Sequence, residues 1–301
     1  HLHWDFQINA HDIRSDQYVS RSITANGIVR NERQKNITYR GQLTDHDDSN
    51  VRLAITDDFL YGLVENQDAL YFIEPLSYFL PNAPADQYVI YKDSDVIPLS
   101  GATCGATEYH KRSSRFRESN TAPPPGNSTL MMLDCHEVEI AIASDFSMYT
   151  KYGQSIINVE NHNIAVMNNV QTNYDNEFAV EVSFNIVEQF TSTCSACDPW
   201  SNTTSAGALL DDFTIWGNNG GFSTTYDVAQ MWTDRDFNGT TIGIAWLNAV
   251  CTNSRYHCLQ DFSNNAQSLR VLVSHEIGHN FGSGHDNNNS CIMAPSVNNS
   301  T

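Results

Sequence analysis

The sequence has 301 residues, which is long enough for two domains that each bury a hydrophobic core. Lys and Arg number 16 against 35 Asp and Glu, and the formal net charge is -19. A chain this acidic is repelled by phosphates, which excludes a nucleic-acid partner. No run of about eighteen or more apolar residues occurs, so the sequence predicts no transmembrane segment.

Several features indicate a secreted or extracellular protein. The chain begins at His1 rather than Met, and we expect that an N-terminal piece such as a signal peptide has been removed. Its seven cysteines favour an oxidising compartment, and their odd number leaves at least one without an internal partner. Candidate glycosylation sites of the form Asn-x-Ser/Thr begin at Asn36, Asn127, Asn202, Asn238, Asn298 and Asn299.

The first 110 or so residues are predicted to form a mainly β domain. Short strand-like runs lie at 36–43, 51–55, 60–64 and 69–73 and are broken by turns. Residues 116–129, which contain Pro123-Pro124-Pro125-Gly126, read as an extended linker. We therefore divide the chain into 1–115, the linker 116–129, and 130–301.

A basic cluster precedes this linker. Arg112-Ser113-Ser114-Arg115 fits the Arg-x-x-Arg requirement of secretory-pathway processing proteases, whose acidic pockets bind spaced guanidinium groups. The alternative is a solvated basic loop. We favour a processing protease acting after Arg115, because the cluster lies at the predicted domain boundary.

The second half alternates strand and helix signals. Strands are predicted at 138–142, 180–186 and 242–250, and helices at 156–174, 206–216 and 268–281. This alternation predicts an α/β (α+β) domain, with a helix that carries the site packed on a mixed, twisted sheet.

The last of these helices carries a metal-ligand pattern, H-E-x-x-H-x-x-G-x-x-H-D, which spans His275 to Asp286. His275 and His279 are four residues apart and project from one helix face, and Gly282 permits a turn that returns His285 as a third ligand. Three imidazoles suit one catalytic Zn²⁺ and leave a position open for water. Glu276 lies next to the first ligand and is placed to activate that zinc-bound water. An ordinary amphipathic helix is the alternative.

Two lesser motifs have weaker interpretations. Asp234-Arg235-Asp236 opens like a calcium loop, but its twelfth position is Ala245 rather than Glu, so we expect a tight turn instead of an EF-hand. A structural calcium ion elsewhere is left open. Cys194-Ser195-Ala196-Cys197 is interpreted as part of a structural disulfide framework rather than a redox pair.

These residues resemble the adamalysin or reprolysin (ADAM-type) branch of the metzincins. The resemblance lies in the segment from His275 to Asp286, in Cys291-Ile292-Met293, which is similar to the family's Met-turn, and in the segment 236–246, which is similar to the approach to its edge strand. Residues 71–76, Tyr-Phe-Ile-Glu-Pro-Leu, resemble a sequence segment that is common in the family's prodomains.

The resemblance implies a mixed-sheet metzincin catalytic domain preceded by a prodomain. It assigns Met293 to a hydrophobic floor beneath the metal. It also implies that Cys104, upstream of the processing site, is the removable fourth zinc ligand of a latent zymogen. A disulfide or an idle thiol is the alternative for Cys104. Because the family continues well past the Met-turn, we expect more chain after Thr301, and the cysteine pairing stays open.

The sequence therefore predicts a secreted zinc metalloendopeptidase, made as a latent zymogen, that hydrolyses peptide bonds of proteins. A binding or adhesion module that recognises a partner without cutting it is the alternative. Relatives of that kind generally lose the Glu or a His of the signature, and this chain retains all four residues.

Overall fold

A computed structural model describes residues 3–97, 99, 101–106, 136–178, 182–286 and 291–296. The predicted linker 116–129, the processing residues Arg112 and Arg115, and the sequons at Asn127, Asn298 and Asn299 lie outside these described residues. Among the helices that the structure describes, none has the length and apolar character needed to cross a membrane.

The first part of the chain builds a six-stranded antiparallel sheet. In spatial order its strands are β1 (Phe6–Ala10), β4 (Thr38–Leu43), β5 (His46–Ile55), β6 (Leu60–Glu65), β7 (Leu70–Pro75) and β8 (Tyr88–Lys92). Successive side chains point to opposite faces. Leu63 and Phe72 therefore join the main core, whereas Val64 and Tyr71 join a smaller core on the other face. The strand predictions for this region are confirmed.

The second sheet has eight strands and contains the predicted α/β layer. In spatial order they are β3 (Gly27–Asn31), β2 (Arg14–Thr24), β11 (Val182–Ser192), β10 (His136–Ser144), β12 (Val228–Thr233), β14 (Tyr256–Gln260), β13 (Thr241–Ala245) and β9 (Thr103–Cys104). The run from β2 to β14 is parallel, and β13 is antiparallel to β14. Segments from the first half of the chain thus occupy both edges of this sheet, which the sequence did not predict.

Four α-helices complete the described fold: α1 (Phe146–Lys151), α2 (Ile156–Glu177), α3 (Ala206–Asn218) and α4 (Ala266–Asn280). Each begins after a residue whose side-chain oxygen accepts a hydrogen bond from a backbone N–H of the first turn, as N-caps do. These caps are Asp145, Ser155, Ser205 and Asn265.

Successive side chains of β10 point to opposite faces of the eight-stranded sheet, and each face is covered by different helices. Ile140 and Ile142 pack on the face that holds α2 and α4, whereas Ala141 and Ala143 pack on the face that holds α3. The six-stranded sheet covers the outer side of α2 and α4 through the same core. Helix α4 is consequently enclosed between two sheets, and the predicted mixed α+β class is confirmed.

Several element bounds were wrong. The strand predicted over 51–55 begins at His46, and the strand predicted over 180–186 continues to Ser192. The strand predicted over 242–250 ends at Ala245, because Asn248 has a φ of +53° and a strand cannot continue through that conformation. The predicted division into 1–115 and 130–301 remains a prediction, and the two parts share the eight-stranded sheet.

Candidate metal centre and active site

Helix α4 positions the first two predicted ligands deep in the protein. Its N-cap Asn265 accepts a hydrogen bond from the N–H of Ser268 at 2.8 Å. Almost every residue of the helix is buried, including His275 and His279. A helix enclosed in this way has little freedom to shift, so the two imidazoles are held in fixed positions one turn apart.

The turn after α4 brings in the third histidine as predicted. Gly282 has a φ of +101°, a conformation that side chains oppose. Around it the N–H of Ser283 donates to the carbonyl of Gly278 and the N–H of Gly282 donates to that of His279, both at 2.9 Å. This helix-ending turn reverses the chain and returns His285 towards the helix face.

The three imidazoles converge through their Nε2 atoms. The Nε2 of His285 lies 3.3 Å from that of His275 and 3.2 Å from that of His279. The Nδ1 atom of His275 is 2.8 Å from the carbonyl oxygen of Ile292, and that of His279 is 2.7 Å from the carbonyl oxygen of Ser283. Because a carbonyl only accepts, both Nδ1 atoms donate, and in the neutral rings both Nε2 atoms present lone pairs to a common point.

This donor set fits a tetrahedral zinc ion. With Zn–N bonds of about 2.0–2.1 Å, two ligand nitrogens lie about 3.3 Å apart, which matches the observed spacing. Burial and the neighbouring His279 lower the pKa of His275 to about 3, so His275 is neutral at physiological pH, as a ligand must be. Burial likewise lowers the pKa of His285.

Cys104 supplies a fourth donor from the first half of the chain. Its Sγ lies 3.4 Å from His279 Nε2, and the ligand atoms of Cys104 and the three histidines all lie within 4.8 Å of one another. Burial, and then the charge of Glu276, raise the pKa of the Cys104 thiol. A bound metal cation opposes this by favouring the thiolate.

The strand that carries Cys104 crosses the site between two walls. The N–H of Thr103 donates to Thr240 at 2.8 Å and that of Gly105 to Gly243 at 2.9 Å, along β13. On the other side the N–H of Cys104 donates to the carbonyl of Pro295 at 3.1 Å. The outer edge of β13 is therefore occupied by residues 103–105.

Glu276 is fully buried beside this group. Its Oε2 accepts from the Cys104 thiol at 3.6 Å, and its Oε1 has no hydrogen-bond partner among the described residues. Burial raises the pKa of Glu276 to about 8, against the opposing effect of the Cys104 hydrogen bond. The carboxyl has room because residue 243 is glycine: a Cβ there would collide with Glu276 Oε1 and with Leu272.

Met293 lies directly against the helix between the two ligands. A Cβ added at Gly278 would come 2.5 Å from the Met293 sulfur, so only glycine permits this approach. The chain before Met293 also provides the Ile292 carbonyl that orients His275. The predicted position of Met293 beneath the ligands agrees with this packing.

The remaining predicted sites are distributed as follows. Asn202 and Asn238 are exposed, whereas Asn36 is half-buried and donates its Nδ2 to the Thr38 carbonyl at 2.8 Å. Cys194 and Cys197 form a disulfide with each other. Arg112 and Arg115 lie outside the described residues.

Two residues that bear on the site were missed. Asn280 is fully buried and ties α4 to the edge strands by donating to the carbonyls of Trp246 at 2.9 Å and Tyr256 at 3.2 Å. Glu74 of β7 accepts from the N–H of Ala266, the first residue of α4, at 2.8 Å. Asn280 lies within the metal-ligand motif, and a polar amide at the buried end of this helix could have indicated a structural hydrogen bond. No local sequence feature indicates that Glu74 contacts the helix.

Comparisons with known proteins agree with this geometry. The model of metallo-peptidase family M12 (Reprolysin_5) matches residues 135–301. A "Zinc metalloproteinase-disintegrin-like" protein of Cerberus rynchops is 25% identical over 268 residues, which are 88% of this chain and 42% of that protein. This chain thus spans less than half the length of that relative. The crystal structure of metalloproteinase-II from Bacteroides fragilis has a similar fold, with a TM-score of 0.52, 12% identity and coverage of 98% of this chain and 82% of that one.

Proposed function

The chain belongs to metallo-peptidase family M12, whose model matches more than half of it, and from this premise we propose that residues 130–301 cleave peptide bonds of extracellular proteins. His275, His279 and His285 would hold one zinc ion. The observation that carries the proposal is the convergence of three Nε2 atoms, two of them on rings whose Nδ1 atoms face backbone carbonyls, beside the buried Glu276.

When bound, zinc supplies a Lewis acid that polarises a carbonyl and lowers the pKa of a coordinated water towards about 7. Glu276 acts as the general base: its carboxylate takes a proton from the attacking water and passes it to the departing amine. Oε1 and Oε2 are both available for this once Cys104 has left, since among the described residues only that thiol donates a hydrogen bond to the carboxylate.

Substrate is held as an extended strand on β13. Its main chain would use the backbone groups of Thr240 and Gly243 that now bind Thr103 and Gly105. Such sheet-edge pairing fixes the substrate backbone and leaves the choice of side chains to neighbouring pockets.

The uncut chain is proposed to be a latent zymogen. Residues 1–115 would act as a prodomain that places the Cys104 thiolate in the fourth ligand position and fills the β13 edge with its own backbone. A secretory-pathway protease cutting after Arg115 would break the covalent link to the prodomain, and dissociation of the prodomain would then remove both blocks. The proposed route is secretion, in agreement with the oxidised Cys194–Cys197 pair and the predicted glycosylation at exposed Asn202 and Asn238.

A cleavage assay with the 116–301 fragment, obtained by cutting after Arg115 and separated from the N-terminal segment, tests the proposal. We expect cleavage of an unstructured protein, its loss on dialysis against a chelator and its return when one equivalent of Zn²⁺ is added. A cut chain that cleaves equally well with and without the chelator would contradict it.

A further inference from the structure

The edge of the eight-stranded sheet farthest from the metal centre carries a second contact between the two parts of the chain. Strand β2 runs parallel to β11, with Val19 opposite Glu188 and Ser22 opposite Thr191. The N–H of Thr193 continues the pairing by donating to the Ile23 carbonyl at 3.0 Å. The hairpin of β2 and β3, residues 14–31, therefore completes an edge that residues 136–296 would otherwise leave open.

A side-chain pocket lies on this edge, and residues 188–224 build it. The Glu188 carboxylate is completely buried at its floor. Its Oε2 accepts hydrogen bonds from the backbone N–H and hydroxyl groups of Ser223 and Thr224, at 2.7–3.1 Å. The Phe190 ring forms one wall, and the Gly221 carbonyl points inwards. Four donors hold Oε2, so Oε1 is free to face a cation.

Arg21 of β2 fills this pocket. Its Nε donates to Glu188 Oε1 at 2.6 Å, its Nη2 donates to the Gly221 carbonyl at 2.5 Å, and its guanidinium carbon lies 5.5 Å from the centre of the Phe190 ring. Only 14% of the Arg21 side chain is exposed. A planar guanidinium can satisfy all three contacts together, whereas a lysine ammonium has neither the fork nor the flat face.

The hairpin is also fixed on its other side. The Ser20 hydroxyl donates to the carboxyl of Glu160 on α2, and Gln189 of β11 donates its Nε2 to the Tyr18 hydroxyl at 3.2 Å. Both Glu160 and Gln189 are buried. These contacts involve no residue of the metal centre, so they do not depend on the Cys104 ligand.

We propose that this far-edge pocket is a docking site for an arginine-bearing strand, that residues 14–31 of this chain are its ligand, and that they keep the N-terminal segment bound after the chain has been cut. The proposal rests on the proposed function, in that residues 1–115 are taken to be separable. Cutting after Arg115 then converts an inhibitory segment that is part of the same chain into one that is held only by non-covalent contacts.

Retention follows from the two separate attachments. While the hairpin is docked, Cys104 remains at a high effective concentration near the zinc ligands, so it rebinds faster than it diffuses away. Release requires the Arg21–Glu188 pair to break, and truncating one partner of such a buried pair mainly raises the dissociation rate.

The test measures dissociation rather than activity. The full chain, tagged at its N-terminus, is cut at Arg115 with an Arg-x-x-Arg-specific protease under conditions that leave the second match, Arg30 to Arg33, uncut. It is then immobilised through the tag, and release of the 116–301 fragment is followed over time. We expect the wild-type fragments to remain associated, and Arg21→Ala to speed release by at least about 30-fold. Arg30→Ala is the matched control, because Arg30 lies opposite Arg21 in the same hairpin and is exposed, and it should release at the wild-type rate.

Arg21→Ala leaves Glu188 buried without its cation and could prevent folding, so Arg21→Lys and the double variant Arg21→Ala/Glu188→Gln are measured as well. Arg21→Lys should fold and still release faster than wild type. Release of wild type and Arg21→Lys at the same rate, or immediate separation of the wild-type fragments, would overturn the proposal. Peptide cleavage by the separated 116–301 fragment reports on the proposed function independently, so the two can fail separately.

Discussion

The Sγ of Cys104 lies 3.4 Å from the Nε2 of His279, although 175 residues separate them in sequence. This relationship joins the first half of the chain to the metal ligands of the second. It is supported on both sides by backbone hydrogen bonds from residues 103–105, so the thiol is held in place rather than lying there by chance.

Removing this thiol should activate the uncut chain. Cys104→Ala deletes the fourth donor, and we expect peptide cleavage by the uncut chain to rise by at least about tenfold, because the tethered thiol competes at a millimolar effective concentration. Cys251→Ala is the control, since Cys251 is exposed and contacts Asp227 instead. Equal activities of Cys104→Ala and wild type would count against thiol latency. Residual inhibition in Cys104→Ala is expected, because its backbone still fills the β13 edge.

Gly278 should be intolerant of even one methyl group. Gly278→Ala places a Cβ on the Met293 sulfur, and overpacking of this kind costs roughly 1–3 kcal/mol. We expect a lower midpoint in urea unfolding and weaker zinc retention in a chelator competition. Gly284→Ala, in the segment that follows the helix, is the control, because its added Cβ meets nothing within 4 Å. Identical unfolding midpoints for the two variants would argue that Met293 does not pack as described.

Asn280 should be needed for the integrity of the site. Asn280→Ala removes the donor to the Trp246 and Tyr256 carbonyls and leaves the His257 ring without its partner. Each buried polar group left unsatisfied costs about 1–3 kcal/mol, so we expect a loss of several kcal/mol in the free energy of unfolding. Asn202→Ala, at an exposed position, should change it little. A small effect of Asn280→Ala would contradict this role.

The pH dependence of stability should carry a contribution from Glu74. Burial raises the pKa of Glu74 to about 8, despite hydrogen bonds from Tyr91 and from the N–H of Ala266 that favour the ionised form. The folded state therefore binds a proton that the unfolded state loses above about pH 4.5, and stability falls as the pH rises from there towards 8, by at most about 5 kcal/mol.

Glu74→Gln removes this ionisation, so the stability of the variant should fall less steeply with pH. Relative to wild type, the variant should become more stable as the pH rises from about 5 to about 8. Glu32→Gln, at an exposed position, should follow the wild-type curve. Urea unfolding at several pH values measures both. A Glu74→Gln curve parallel to that of wild type would show that Glu74 is not buried as a neutral acid.

The sequence predicted the local parts of this structure better than the long-range parts. The spacing of His275, His279, Gly282 and His285 is local, because helix periodicity and one left-handed turn determine it, and the structure brings these residues together. The packing of Met293 could be anticipated only through the family resemblance.

Contacts between residues that are distant in sequence could not be predicted from local sequence patterns. The addition of β2 to β11, the short strand β9 and the contact of Glu74 with α4 join residues more than 70 positions apart. Neither alternation nor capping residues specify such partners. Asn248 ended β13 early for a similar reason, since its left-handed conformation accompanies hydrogen bonds to the end of α4, including one from its N–H to the His279 carbonyl at 2.9 Å.

The central claim is that Glu276 moves the proton in a zinc-dependent hydrolysis. The most direct measurement compares the wild-type chain and Glu276→Gln, both cut after Arg115 and separated from the N-terminal segment, for zinc content and for kcat on one peptide. Glu276→Gln keeps the shape of the side chain and all three histidines, so we predict one zinc per chain in both proteins and a kcat lowered by about 10²–10⁴-fold or more in the variant. A Glu276→Gln protein that binds zinc and cleaves at the wild-type rate would contradict the account.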